Sequence, residues 1–97
     1  MADYATNIFH AITANKEDLF KMEAFLKKHF SGIINRYGEI VDAAFTSLQE
    51  YPEEKIAAMV EALEDKDKIC IKILTYEFGS EYVSFRIFSQ GKWNVKI

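Results

Sequence analysis

The side chains with the greatest chemical potential are two histidines and one cysteine, His10, His29 and Cys70. No two of them have the spacing of a zinc-ligand set, and a single cysteine cannot form an internal disulfide. A dyad of Cys70 with a histidine would need partners that meet in space rather than along the chain. The four glycines are dispersed and form no phosphate-binding loop. The sequence therefore predicts no metal, no cofactor and no catalytic residue, and we expect that the chain is not an enzyme.

Acidic residues gather between positions 50 and 67, where seven carboxylates accompany two lysines. Residues 1–67 carry a net charge of −6, and residues 68–97 carry +3. The acidic cluster lacks the ligand order of a calcium loop. A strongly negative surface suits a basic partner, including the nucleic-acid groove of another protein. We therefore expect protein binding through five residues: Glu53, Glu54, Glu61, Glu64 and Asp65.

The last third of the chain reads as three alternating runs separated by Gly79-Ser80 and Gln90-Gly91. This pattern predicts a three-stranded antiparallel meander with positive backbone dihedrals in both turns. Alternation gives one apolar face, which we assign to the core: Ile69, Ile71, Ile73, Val83, Phe85, Ile87, Trp93, Val95 and Ile97. The other face mixes aromatic residues with cations: Cys70, Lys72, Leu74, Tyr76, Phe78, Tyr82, Ser84, Arg86, Phe88, Lys92, Asn94 and Lys96.

The mixed face is a second candidate binding surface. Aromatic side chains interleaved with cations can stack bases and hold phosphates, although the overall acidity counts against nucleic acid. Exposing so many large side chains is unusual for a monomer, so we expect a homodimer through the sheet. The two interpretations compete for the same residues: Lys72, Tyr76, Tyr82, Arg86 and Phe88.

The first half of the chain must supply the elements that cover this meander. Tyr4 to Ala14 fits both a strand and a helix, and we favour a strand because Asn15 resembles the N-cap of the next element. An amphipathic helix is predicted over Lys16 to Phe30, with Ser31-Gly32 as its end.

Two further helices are predicted before the meander. Eight apolar residues at helical spacing indicate a helix from Ile33 to Leu48, and a strand from Glu39 to Tyr51 is the alternative. Pro52 then suits the first turn of a helix that ends near Asp65.

These elements predict one α+β domain of residues 1–97, with three helices packed on a mainly antiparallel sheet in the order β-α-α-α-β-β-β. The alternative order is βαβαβββ, a ferredoxin-like arrangement. No segment has the length of a membrane span or the layout of a secretory signal, so we expect a cytoplasmic protein with no membrane partner.

The expected function is a small, non-catalytic, acidic protein-binding module of the inhibitor, adaptor or immunity type. By analogy at the level of class, an accessory protein of a phage or mobile element would suit this description. The alternative is a single-stranded nucleic-acid binder that uses the sheet. The sequence identifies no specific protein partner.

Overall fold

The computed structural model describes residues 4–97 as six strands, two α-helices and one 3-10 turn. The strands form one antiparallel sheet in the order β2-β3-β1-β4-β5-β6. The elements are β1 (Tyr4–Ile12), α1 (Lys16–His29), β2 (Gly32–Tyr37), β3 (Ile40–Leu48), α2 (Glu53–Glu61), the 3-10 turn (Lys66–Lys68), β4 (Cys70–Glu77), β5 (Tyr82–Ser89) and β6 (Lys92–Val95).

The chain is α+β and ends in a meander, as the sequence predicts, but both predicted element orders are wrong. The structure has two helices rather than three, and its sheet has six strands. The predicted N-terminal strand and the first predicted helix are present as β1 and α1. The predicted domain includes residues 1–3, which lie outside the described residues.

The predicted helix from Ile33 to Leu48 is wrong because this segment forms the hairpin of β2 and β3. Gly38 adopts a φ of 55° in the two-residue turn between these strands. The alternative, one strand from Glu39 to Tyr51, overlaps β3 but omits β2. The hairpin carries apolar residues on both of its faces, and this removes the period-2 pattern on which a strand prediction depends.

Both helices cover the same face of the sheet. Strands β1 and β2 run parallel with β3 between them, and β3 and β4 run parallel with β1 between them. Right-handed crossovers between these two pairs place α1 and α2 on one face, as in a split βαβ unit. The core between helices and sheet includes Phe9, Leu19, Met22, Phe45, Ile56 and Ile73. We call the opposite face of the sheet the open face.

A buried carboxylate joins the two helices. The side chain of Asn15 accepts a hydrogen bond from the backbone N–H of Asp18 and so caps α1, as predicted. Asp18 is 0% exposed, and its carboxylate accepts hydrogen bonds from the backbone N–H groups of Glu64 at 2.8 Å and Asp65 at 2.9 Å. The first turn of α1 therefore holds the segment that follows α2.

We expect Asp18→Ala to lower the free energy of unfolding by about 1.5–3 kcal/mol, because two backbone donors lose a charged acceptor. Urea unfolding followed by circular dichroism measures this change. Glu17→Ala is the matched control, since Glu17 is exposed in the same turn and should change stability by less than about 0.5 kcal/mol. Equal effects of the two substitutions would show that Asp18 does not anchor this segment.

The sequence suggests that Gly32 ends α1 in a left-handed conformation. In the structure Gly32 is instead the first residue of β2 and does not adopt that conformation. A Cβ atom at Gly32 would lie 2.1 Å from the carbonyl oxygen of Ala44 and 2.7 Å from Cα of Phe45, so β2 and β3 approach too closely for a side chain.

We expect Gly32→Ala to destabilise the protein by about 1–3 kcal/mol in the same unfolding measurement. Gly79→Ala should have little effect, because its Cβ would meet only the flexible end of Glu77.

Candidate functional site

The two faces of the meander differ from the predicted ones. Ile73 pairs with Arg86, and Phe88 pairs with Trp93. Paired residues point to the same face of the sheet. When a hairpin loop has an even number of residues, each odd-numbered residue of one strand pairs with an even-numbered residue of the other. The isoleucines of β4 therefore face the helices together with Phe88, whereas Val83 and Phe85 lie on the open face. The predicted core face and the predicted mixed face are both wrong as sets.

The turns explain this register. Gln90 and Gly91 have φ values of 53° and 76°, as a two-residue hairpin turn requires and as the sequence predicts. The loop between β4 and β5 is longer, since it contains the four residues between Glu77 and Tyr82. Its positive φ occurs at Glu81 rather than at Gly79-Ser80.

The five residues predicted to form a dimer or nucleic-acid surface are divided between the two faces. Lys72 and Tyr76 lie on the open face. Tyr82, Arg86 and Phe88 lie on the face that the helices cover, and Phe88 is only 3% exposed. These five side chains therefore cannot bind one ligand together.

Arg86 and Tyr82 anchor the segment that leads into α2. The Arg86 guanidinium lies 4.1 Å from the centre of the Tyr51 ring and pairs with Glu53 at 3.1 Å. The Tyr82 hydroxyl accepts a hydrogen bond from the backbone N–H of Tyr51. Burial raises the pKa of Tyr51, and the positive charge of Arg86 partly opposes this rise. These contacts give both predicted site residues a structural role.

The predicted acidic binding residues lie at both ends of α2 and in the segment that follows it. Glu53 and Glu54 begin α2, and Glu61 ends it about 12 Å away along the helix axis. Glu64 lies 3.5 Å from the Lys21 ammonium, and Asp65 accepts a hydrogen bond of 2.7 Å from Asn15. Residues 16–29 have a net charge of +1 and residues 53–68 have a net charge of −3, so α1 offsets part of the negative charge of the segment that contains α2.

The open face carries an apolar row across five strands. Cross-strand pairing aligns Ile33, Ala44, Ile8, Leu74 and Phe85 in this order from β2 to β5. A depression of 460 Å³ lies over the small Ala44 side chain, between the two isoleucines of the row, and extends to His10, Asn35 and Asp42. We call these five residues the apolar row.

A polar row lies beside the apolar row on the same face, displaced by two residues along each strand. It contains Asn35, Asp42, His10 and Lys72, followed by Ile87 and Asn94. His10 Nδ1 lies 2.6 Å from one carboxylate oxygen of Asp42, and the Tyr37 hydroxyl donates a short hydrogen bond to the other. Asp42 thereby links β1, β2 and β3.

Sequence reasoning missed Tyr37 and Asp42 as partners of His10. His10 and Asp42 are 32 residues apart, and the segment that holds Asp42 was predicted as a helix. Strand alternation from Ile40 would have placed Asp42 on a sheet face, but no local signal indicates which residue it meets. Cys70 lies two residues from Lys72 on the same face of β4, and it is half-buried.

The hydrogen bonds from Tyr37 and then from His10 hold the pKa of Asp42 below its usual value of 3.8. A carboxyl group whose pKa is lowered by folding stabilises the fold at pH values above its unfolded pKa, and this contribution is lost as pH falls through the folded value.

We expect that the free energy of unfolding of Asp42→Asn decreases less steeply than that of the wild type as pH falls below 3.8. Urea unfolding at a series of pH values measures this slope.

Asp67→Asn is the matched control for this titration, because Asp67 is exposed in the 3-10 turn. Each variant loses one carboxyl group, so a smaller slope of stability against pH in Asp42→Asn than in Asp67→Asn isolates the hydrogen bonds of Asp42. An unchanged slope in Asp42→Asn would contradict the assigned hydrogen bonds of Asp42.

Residues 4–97 contain no group of three or more His, Cys, Asp or Glu side chains arranged to hold a metal ion. Neither helix in this range is sufficiently long and apolar to cross a membrane. No family model, no curated protein and no solved structure matches the chain.

Proposed function

We propose that this chain is a non-catalytic protein-binding module and that the open face of the sheet is its binding surface. The observation that carries the proposal is the exposure of the apolar row, in which Ile33 is 70% exposed, Ile8 44% and Leu74 37%. These side chains are neighbours across the strands rather than scattered. A contiguous apolar patch with polar residues at its border is typical of a surface that binds another protein.

The chemistry of the open face favours a protein over a single-stranded nucleic acid. Base stacking needs aromatic rings beside cations, but the central positions of this face are aliphatic. Two exposed aromatic residues, Tyr4 and Phe78, lie towards one end of the strands, and a third, Tyr37, lies towards the other. The cations Lys72 and Lys92 also lie towards that other end. Tyr4 and Phe78 are therefore separated from these cations along the sheet, and the Tyr37 hydroxyl already donates a hydrogen bond to Asp42.

The acidic helical side is the weaker candidate surface for the same module. Glu53 and Glu64 already pair with cations of the chain, and the net charge of +1 on α1 offsets part of the −3 that residues 53–68 carry. An inhibitor or adaptor role suits a module that binds through its sheet. That the chain is not an enzyme and binds no cofactor stays a prediction.

A photo-reactive amino acid at position 44 tests the proposal, because Ala44 lies exposed in the middle of the apolar row. We expect irradiation in a lysate of the source organism to give a discrete covalent protein adduct. Position 58 is the matched control, since Ala58 is an exposed alanine of α2 on the helical side. The adduct should not form from position 58.

A second substitution makes the test specific to the apolar row. Leu74→Glu places a charge two strands from Ala44, so it should abolish the adduct formed from position 44 while circular dichroism shows an intact fold. An adduct with nucleic acid, or equal adducts from positions 44 and 58, would contradict the proposal.

A further inference from the structure

We infer that the protein bound by the open face is a second copy of this chain, stacked face to face about a two-fold axis that runs along β1. This inference rests on the proposed function, because it names the occupant of the same surface. The argument uses the shape of the open face, its charges and its area.

A two-fold axis along β1 places each strand opposite the strand on the other side of β1. In the sheet, β1 lies between β3 and β4, so β3 of one copy faces β4 of the other. Residues in one cross-strand row stay in register. Ala44 then lies opposite Leu74 of the second copy, and Ile8 lies opposite its own counterpart.

The shapes of these opposed residues are complementary. The depression of 460 Å³ over Ala44 is bordered by Ile8 and Ile33, and Leu74 is a large side chain that stands 37% exposed in the same row. Under this axis, each Leu74 enters the depression of the other copy, so the contact forms twice. Thr46 and Tyr76 form a second opposed pair of a small and a large side chain in the neighbouring row.

The charges of the polar row select the same axis. Asp42 lies on β3 and Lys72 on β4, so the axis along β1 brings each carboxylate opposite the lysine of the second copy. In the part of the chain that the structure describes, no carboxylate lies within salt-bridge distance of Lys72. A charge pair of this kind fixes the register of an interface more than it adds affinity.

Other axes oppose like charges or mismatched shapes. An axis along β3 would place Asp42 opposite Asp42, and an axis along β4 would place Lys72 opposite Lys72. An axis across the strands, through the apolar row, would place Ala44 opposite Ala44 and leave the depression empty. Among these four axes, the axis along β1 is the one that both pairs opposite charges and fills the depression.

The area of the open face is sufficient for a stable dimer. The five strands that overlap under this axis, β2 to β5 with β1 at the centre, are about 4.8 Å apart and have about eight residues each with a rise of about 3.3 Å, so they cover roughly 600 Å² in projection. The accessible area of the side chains on such a face is larger than its projection. It is therefore comparable with the roughly 800 Å² that each partner buries in an interface of standard size.

The first test is the solution mass of the wild-type protein by light scattering over a range of concentrations. We expect twice the chain mass of 11.2 kDa, falling towards the chain mass on dilution. A monomer at every concentration would overturn the inference. This measurement requires no variant, so it does not depend on the folding of any substituted protein.

The second test uses charge reversal on either side of the axis. Asp42→Lys and Lys72→Asp each place like charges opposite one another twice in the dimer, so each variant alone should be a monomer. An equimolar mixture should restore the dimer, because both opposed pairs are then of opposite charge. A mixture that stays monomeric, or single variants that dimerise like the wild type, would overturn the axis along β1.

Lys92→Asp is the matched control for charge reversal. Lys92 belongs to β6, three strands from β1, and the sheet has only two strands on the opposite side of the axis. Lys92 therefore faces no strand of the second copy, and this variant should stay dimeric. A monomeric Lys92→Asp variant would show that the overall charge of the protein, rather than the pair of Asp42 with Lys72, controls association.

The adduct from position 44 separates this inference from the proposed function. An adduct of twice the chain mass supports both. An adduct with a different polypeptide, together with a monomeric wild type, supports the proposed function and overturns the self-association. The absence of any adduct from position 44 overturns the proposed function as well.

Discussion

The placement of both helices on one face of the sheet is the constraint on which the rest of this structure depends. Two crossovers of the same hand, each passing over one intervening strand, allow no other arrangement. β1 shows the consequence: Phe9 and Ala11 are buried under the helices, while Ile8 and Ile12 point away from them and are each more than 40% exposed. The topology therefore leaves this face of the sheet uncovered, and its apolar side chains are exposed.

The same constraint limited what the sequence could predict. Local signals identified α1 and the last hairpin, because the Asn15 cap and the Gln90-Gly91 turn depend only on neighbouring residues. The hairpin of β2 and β3 was predicted as a helix, because Ile34 and Phe45 face the helices while Ile33 and Ala44 face outwards. Apolar residues on both faces of two adjacent strands produced a spacing that helices also show. Gly38 marks the turn, but a single glycine weakens a helix by only about 1 kcal/mol relative to alanine and does not exclude one.

The candidate site was less predictable than the fold, because it depends on pairing between distant strands. The predicted site contained Lys72 and Tyr76, which lie on the open face, and Arg86 and Phe88, which lie on the other. Which residues of the meander share a face depends on whether each hairpin loop has an odd or an even number of residues. The apolar content of the strands alone suggested the wrong set of residues for each face. Contacts such as that of His10 with Asp42 have no local signal, since they follow from the register of β1 against β3.

In the proposed binding, the two rows of the open face have different roles. The apolar row supplies area that is favourable to bury, but aliphatic side chains alone tolerate many registers. The polar row restricts them, because the hydrogen bonds from Tyr37 and His10 hold the Asp42 carboxylate in one position. A partner surface must therefore offer a cation at one place and apolar side chains beside it. This chain itself meets the requirement, with Lys72 and Leu74 separated by a single residue of β4.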